Sequence, residues 1–202
     1  MFDVLILGGG ASGASCALVL GSAQKKAFVT EKKIGIILHQ KASMLQDALF
    51  YNAFGVPSGA LGSDLLKQSS EVLHTQYPHI EQIENEKVFR VTPIEGGFEV
   101  ETNKGKYTSR EIVVAVNSSA SFDIEGLMDY VEPHRKSIAS KNRIQLKNED
   151  HLVSKGIYVA GTLAGHRSQL AIAAGSGAAV ATDILTAWND GIETHSHDSI
   201  RK

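Results

Sequence analysis

Residues 2–13 read Phe2-Asp-Val-Leu-Ile-Leu-Gly8-Gly-Gly10-Ala11-Ser12-Gly13, and Ala14-Ser-Cys-Ala-Leu-Val-Leu20 follows with helical character. An apolar strand-type run therefore ends in Gly-x-Gly-x-x-Gly and passes straight into a helix. The glycines alone are a weak signal; set between strand and helix they predict a dinucleotide-binding turn. Gly8 permits the tight turn, Gly10 lets the backbone approach a pyrophosphate, and Gly13 lets the helix pack close to the strand. The free N–H groups at the helix start, at Ala11 and Ser12, then face phosphate, where the helix dipole favours negative charge.

Beyond the first helix, Ala27-Phe-Val-Thr30 reads as the second strand, short and β-branched, with Glu31 at its carboxyl end, twenty-three positions after Gly8. A carboxylate there accepts hydrogen bonds from an adenosine ribose diol. It also disfavours a ribose 2′-phosphate, and hence NADP, although Lys32 and Lys33 beside it act in the opposite sense. Ile34–His39 shows no period that decides its state. Residues 52–62 are rich in turn formers. A helix follows from Gly62 or Ser63, with Asp64 near the positive end of its dipole and Pro78 as its stop.

Glu86–Thr92, Phe98–Thr102 and Lys106–Thr108 are strand-like, with turns at Gly96-Gly97 and Asn103-Lys-Gly105. They predict a small antiparallel meander within about 80–110. The wholly apolar Ile112–Val116 reads as a return to a central parallel sheet, and Gly156–Ala160 as the last buried strand. Residues 118–150 are polar and irregular, 167–189 predict a long Ala/Gly-rich helix, and 191–202 form a polar tail. The expected fold is α/β, Rossmann-like, with a central parallel sheet and a small antiparallel β-meander in one domain over residues 1–190.

The composition, 202 residues with 43% hydrophobic and 21% charged side chains and net charge −2, is that of an ordinary globular chain. Basic residues read as scattered, with Lys25-Lys26 and Lys32-Lys33 the densest pairs, so no nucleic-acid partner is expected. No apolar run reads as a bilayer span, and the strand at residue 2 leaves no room for a leader, so no membrane association and a cytoplasmic location are expected. Cys16 is the single cysteine. It excludes an internal disulfide and reads as a buried packing residue.

The glycine motif does not separate FAD from NAD, because both carry adenosine diphosphate. Gly156-Ile-Tyr-Val-Ala-Gly161-Thr162-Leu-Ala-Gly-His-Arg-Ser-Gln169-Leu170-Ala-Ile-Ala-Ala-Gly175-Ser-Gly177 does: it resembles the closing FAD motif of the thioredoxin reductases, within the pyridine nucleotide-disulfide oxidoreductases. Asn52–Leu66 is similar to that family's loop into its second helix. The resemblance spans nearly all of residues 1–190 in order. It implies that Gly8, Gly10, Gly13 and Glu31, flanked by Lys32, hold the adenosine diphosphate, that the Val88 backbone reaches adenine, and that Ala115, Val116 and Asn117 lie near phosphate and ribose. It places Gly161 and Thr162 near the ribityl chain, and Gln169 and Leu170 near the isoalloxazine.

Three departures from the family stand out. Thr162 replaces an Asp, and Asn117 replaces a Gly. Between the strands at 112–116 and 157–160, where the family inserts a nicotinamide-nucleotide domain, only about forty residues stand, too few for several βαβ units of roughly 30 residues each. The resemblance thus implies an FAD-dependent oxidoreductase without dithiol or nicotinamide domain, its electron donor or acceptor a small molecule or a protein. A homodimer or partner would shield the flavin edge. The other readings are a non-catalytic flavin carrier or sensor, an electron-transfer subunit, and an NAD-binding module. His39, His166 and Arg167 border the expected site without an assigned role, and His195 and His197 read as tail residues.

Overall fold

Val4, Leu5, Ile6 and Leu7 are fully buried, and successive side chains of this strand enter opposite sides of one sheet. The computed structural model describes residues 1–39 and 43–197. Along the chain run β1 (Phe2–Leu7), α1 (Ala11–Ser22), β2 (Ile34–Leu38), β3 (Leu49–Phe50), β4 (Ala60–Leu61), α2 (Gly62–Gln76), β5 (Ile80–Glu84), β6 (Val88–Ile94), β7 (Gly97–Thr102), β8 (Lys106–Val114), β9 (Val131–Pro133), β10 (Ile144–Leu146), β11 (Leu152–Ser154), β12 (Ile157–Val159) and α3 (Leu170–Trp188).

The main sheet has the order β11-β12-β8-β1-β2-β5. The five strands from β12 to β5 are parallel, and β11 is an antiparallel edge. Val4, Ile6, Ile36 and Val113 pack with α1 and α3 on one face, while Leu5, Leu7, Ile37, Ile112 and Val114 pack on the other with β6, β7 and the β9–β10 segment. Each fully buried Leu or Ile contributes about 1.5–3 kcal/mol, so this two-sided sandwich fixes the register of the central strands.

Two features bring α1 into place. A Cβ on Gly13 would stand 1.9 Å from the Gly8 carbonyl, and one on Gly177 would stand 1.9 Å from the Ser12 carbonyl. The start of α1 is thus wedged between the end of β1 and the middle of α3.

The structure changes four readings. Residues 27–30 are successive turns, not a strand, closed by Val29 N–H to Lys26 O and Lys32 N–H to Val29 O. The second parallel strand is Ile34–Leu38, all five residues buried. Of two adjacent apolar runs, only the later one finds a parallel partner on each side, while Val29 plugs the core beside it. The meander is β6–β7–β8 alone: β5 belongs to the parallel sheet. Strand β8 serves both, pairing β7 through Lys106–Ser109 and β1 through Ser109–Val114.

The remaining two changes are at the segments flanking the last strand. Residues 118–150 contain the β9–β10 ladder, with Leu127 and Leu146 fully buried in the second core. Helix α3 starts at Leu170, and it is long and apolar enough to cross a membrane by length and composition; here Val180, Ala181, Ile184 and Leu185 are fully buried in the core against α1 and the sheet. Residues 193–197 of the predicted polar tail carry no regular structure, and 198–202 lie outside the described residues.

Candidate functional site

At the carboxyl edge of β1, β2 and β8 lies a cavity of about 740 Å³, within the size range of small-molecule sites. Gly8 turns off β1 with φ +113°, and a Cβ there would meet the Ala115 carbonyl at 2.7 Å. The turn needs glycine on both counts, the backbone angle and the neighbour. Gly10 then caps α1, and a side chain there would meet nothing nearer than Ser43 Oγ at 3.6 Å. The space in front of Gly10 is open cavity.

The electrostatics follow from the helix starts. Neither α1 nor α3 has a side-chain cap or an acidic residue in its first turn. Both begin on this cavity: Gly10, Ala11 and Ser12 line it from α1, and Gln169, Leu170 and Ala173 from α3. Each start presents backbone N–H groups without a helical partner and the positive end of a dipole. One further cation joins them. Arg143, from β10's leading edge, lines the cavity and donates to Ser118 Oγ at 3.4 Å.

The far end is lined by Glu86, Lys87 and Val88. The Glu86 carboxylate is buried and accepts from Thr102 Oγ1 at 2.5 Å and Tyr107 OH at 3.0 Å. Burial, then Glu86, pushes the Tyr107 phenol above its usual range. Lys87 pairs with Asp123 at 3.3 Å.

The turn at Gly161–Ala164 is clamped from two sides. Gly161 N–H donates to Ser176 Oγ at 2.8 Å, His134 Nε2–H donates to Thr162 O at 3.0 Å, and Arg135 Nη2 donates to Ala164 O at 2.7 Å. Lys136 N–H donates to His134 Nδ1 at 3.1 Å, so the Nε2–H tautomer of His134 is the one that satisfies both bonds. Thr162, which stands where the resembling family has Asp, lines the cavity from this turn.

Of the residues expected from the sequence, Gly8, Gly10, Ala11, Ser12, Val88, Ala115, Val116, Asn117, Thr162, Gln169 and Leu170 line the one cavity. Gly13 and Gly161 stand directly behind it, Gly13 against Gly8 and Gly161 against Ser12. Asn117 does not adopt the left-handed backbone; its Oδ1 accepts from Ser119 N–H at 2.9 Å in a side-chain turn.

Glu31 and Lys32 are the corrections. Because β2 starts at Ile34, both lie before the strand, at the opposite edge of the sheet. Lys33 O accepts from Asp3 N–H at 2.8 Å, at the beginning of β1. Lys32 pairs with Asp3 and lies over the Trp188 ring at 5.1 Å. Six residues of extended chain, about 20 Å, separate Lys33 from His39. The position after the second strand, where an acid was expected, holds His39, which lines the cavity.

Sequence reading passed over Arg143 and the lining from Ser43 to Phe50. No motif marks them. The signal for Arg143 was only its charge in a segment read as polar and irregular.

The chain belongs to the pyridine nucleotide-disulphide oxidoreductase family, whose pattern matches residues 2–170. That is a family of flavoprotein oxidoreductases, and membership implies a flavin-type cofactor. Similar solved structures include an oxidoreductase from Agrobacterium tumefaciens (15% identity, 95% of this chain and 98% of that one, TM-score 0.69). A thioredoxin reductase from Gloeobacter violaceus matches at 16% identity over 99% of each chain, TM-score 0.69. The thioredoxin reductase of Lactococcus lactis matches at 10% identity over 94% of this chain and all of that one (100%), TM-score 0.68. At such identities the likeness is one of fold. No curated protein matches the chain.

Proposed function

We propose that the chain binds FAD along this cavity and exchanges electrons through its flavin, without a dithiol and without a nicotinamide domain between β8 and β12. One observation carries the reading: two uncapped helix starts, far apart in sequence, open on the same cavity. An extended cofactor with a diphosphate at its middle and, at one end, a ring that accepts negative charge suits that arrangement. The open space before Gly10 and the Arg143 guanidinium fit the diphosphate anion. The backbone at Lys87 and Val88 suits the adenine, Thr162 the ribityl hydroxyls, and Gln169 with Leu170 the ring system.

When bound, FAD supplies reversible two-electron chemistry. The residues of this chain bind, orient and tune it. The N–H groups at the start of α3 favour the anionic reduced ring, and Glu86, tied by Thr102 and Tyr107, shapes the far end of the cavity. The single cysteine, the buried Cys16, supports the reading without a dithiol, and the short β9–β10 stretch between β8 and β12 supports the reading without a nicotinamide domain. A cytoplasmic location and a homodimer or protein partner covering the flavin edge remain part of the proposal.

The test is uptake of added FAD at micromolar levels, read as absorbance near 450 nm, an approximate and general flavin property. A colourless chain that refuses FAD overturns the proposal and leaves an NAD-binding module. Anaerobic titration with NADH and NADPH follows. Bleaching by either supports direct docking of the free nucleotide. A flavin that neither nucleotide, thiol nor quinol reduces favours a carrier or a protein-fed subunit.

A further inference from the structure

Residues 134–147, His-Arg-Lys-Ser-Ile-Ala-Ser-Lys-Asn-Arg-Ile-Gln-Leu-Lys, hold five Lys or Arg and no acid, in a chain with 20 Lys+Arg against 22 Asp+Glu. No other acid-free stretch of the sequence holds as many Lys and Arg, and a reading of scattered charge passes over it. In the fold it is the tip of the β9–β10 hairpin. Arg135, Lys136 and Lys141 are exposed there, and Ile138 stands among them 64% exposed. Arg167, from the loop before α3, reaches the same tip, its Nη1 donating to Lys136 O at 3.5 Å. Among the described residues none of Arg135, Lys136, Lys141, Arg143, Lys147 and Arg167 is in an ion pair. Glu132, the acid on β9, is engaged by Gln145 Nε2 at 2.7 Å.

The basic tip is fastened to the cavity. His134 and Arg135 hold the Gly161–Ala164 turn, Arg143 lines the cavity, and Ser168 beside Arg167 lines it too. A body docked on the tip is therefore held at the cavity's mouth, at the end where α3 begins. The surface carries exposed cations without ion pairs and one exposed apolar residue, Ile138, and its charge is the complement of an acidic partner surface. It has no Phe, Tyr or Trp in 134–147, and its one ring, His134, is buried, so it offers no exposed stacking platform for bases.

We propose that this hairpin tip, with Arg167, is the docking surface for a small acidic electron-carrier protein, through which electrons enter or leave the site. The inference rests on the flavin reading above and names the partner class that reading leaves open. In the reducing direction, two carrier molecules each give up one electron and leave oxidised. Together with one proton from solvent, the two electrons convert bound oxidised FAD to its anionic reduced form. No dithiol and no hydride donor is required.

The experiment uses the FAD-loaded chain, a reduced [2Fe–2S] ferredoxin as the acidic carrier, and the charge-reversed variant Lys136→Glu/Lys141→Glu/Arg167→Glu. Flavin bleaching by the ferredoxin is expected to slow at least tenfold between roughly 20 and 300 mM salt, as steered association does. The variant is expected to lose at least tenfold in rate at low salt while its FAD affinity and its reduction by dithionite stay unchanged. Labelled ferredoxin titrated onto the flavin-free chain reads docking by itself, through fluorescence anisotropy. Uptake of FAD and bleaching by dithionite, with no ferredoxin docking or with a variant equal to the parent, overturns this inference and leaves the flavin reading standing. Refusal of FAD by the chain overturns both. Tighter binding of a 20-base-pair duplex DNA than of ferredoxin, lost in the same variant, overturns it in favour of a nucleic-acid surface.

Discussion

The imidazoles of His151 and His166 meet Nε2 to Nε2 at 3.1 Å, and Ser176 Oγ lies 2.9 Å from the same His151 nitrogen. Two nitrogens facing each other share at most one proton, so this contact excludes a doubly charged pair. Burial lowers both pKa values first of all. His151 itself, Lys136, Arg135 and His134 lower that of His166 further, while Asp183 and Asp150 partly oppose the shift at His151. An unfolded histidine titrates near about 6.5. Below that pH the unfolded chain therefore binds more protons than the folded one, and stability falls with falling pH until the lowered folded pKa values are passed. Thermal midpoints measured from about pH 7.5 to about pH 5 are expected to fall, and His166→Gln is expected to flatten the slope. A wild-type midpoint constant over that range would sink the idea.

Gly10 and Gly13 make a paired prediction. A Cβ at Gly13 would overlap the Gly8 carbonyl at 1.9 Å, whereas at Gly10 it would enter open cavity. Gly13→Ala is expected to destabilise the fold by about 3 kcal/mol, read from urea midpoints. Gly10→Ala is expected to stay folded and to lose at least tenfold in FAD affinity. Equal loss of stability in both variants would mean that the cavity before Gly10 is not ligand space.

Glu31 stands at the edge of the sheet away from the cavity, whereas His39 lines it. Glu31→Gln is expected to leave FAD affinity within twofold of the parent in a fluorescence titration, and His39→Ala to weaken it at least threefold. The opposite order would restore the acid to the site.

Cys16 is fully buried, and burial pushes its thiol far above the ordinary range. The folded chain is expected not to react with an aromatic disulfide reagent until denaturant is added, and Cys16→Ala is expected to bind FAD as the parent does. Rapid labelling of the native chain would show a thiol available for redox work.

The opening strand, the glycine turn and α1 were legible in residues 2–22, because an apolar run, three glycines and a small-residue helix are all local signals. The same holds for the β6–β7 hairpin, written in its alternation and its Gly96-Gly97 turn, and for Gln169 and Leu170 at the last helix, found by motif resemblance. Residues 27–38 were not legible. Two apolar runs compete there for one strand, and local propensity does not say which will lie between β1 and β5. That choice moved Glu31 from the site to the far edge. Arg143 and the basic hairpin tip were hidden for a different reason: a charge in a polar segment has no meaning until the chain folds back to place it beside a cavity. Short-range pattern thus decided the kind of turn and the family resemblance, while strand neighbours and chain reversals, which depend on contacts distant in sequence, decided which side chains line the cavity and what surface adjoins it.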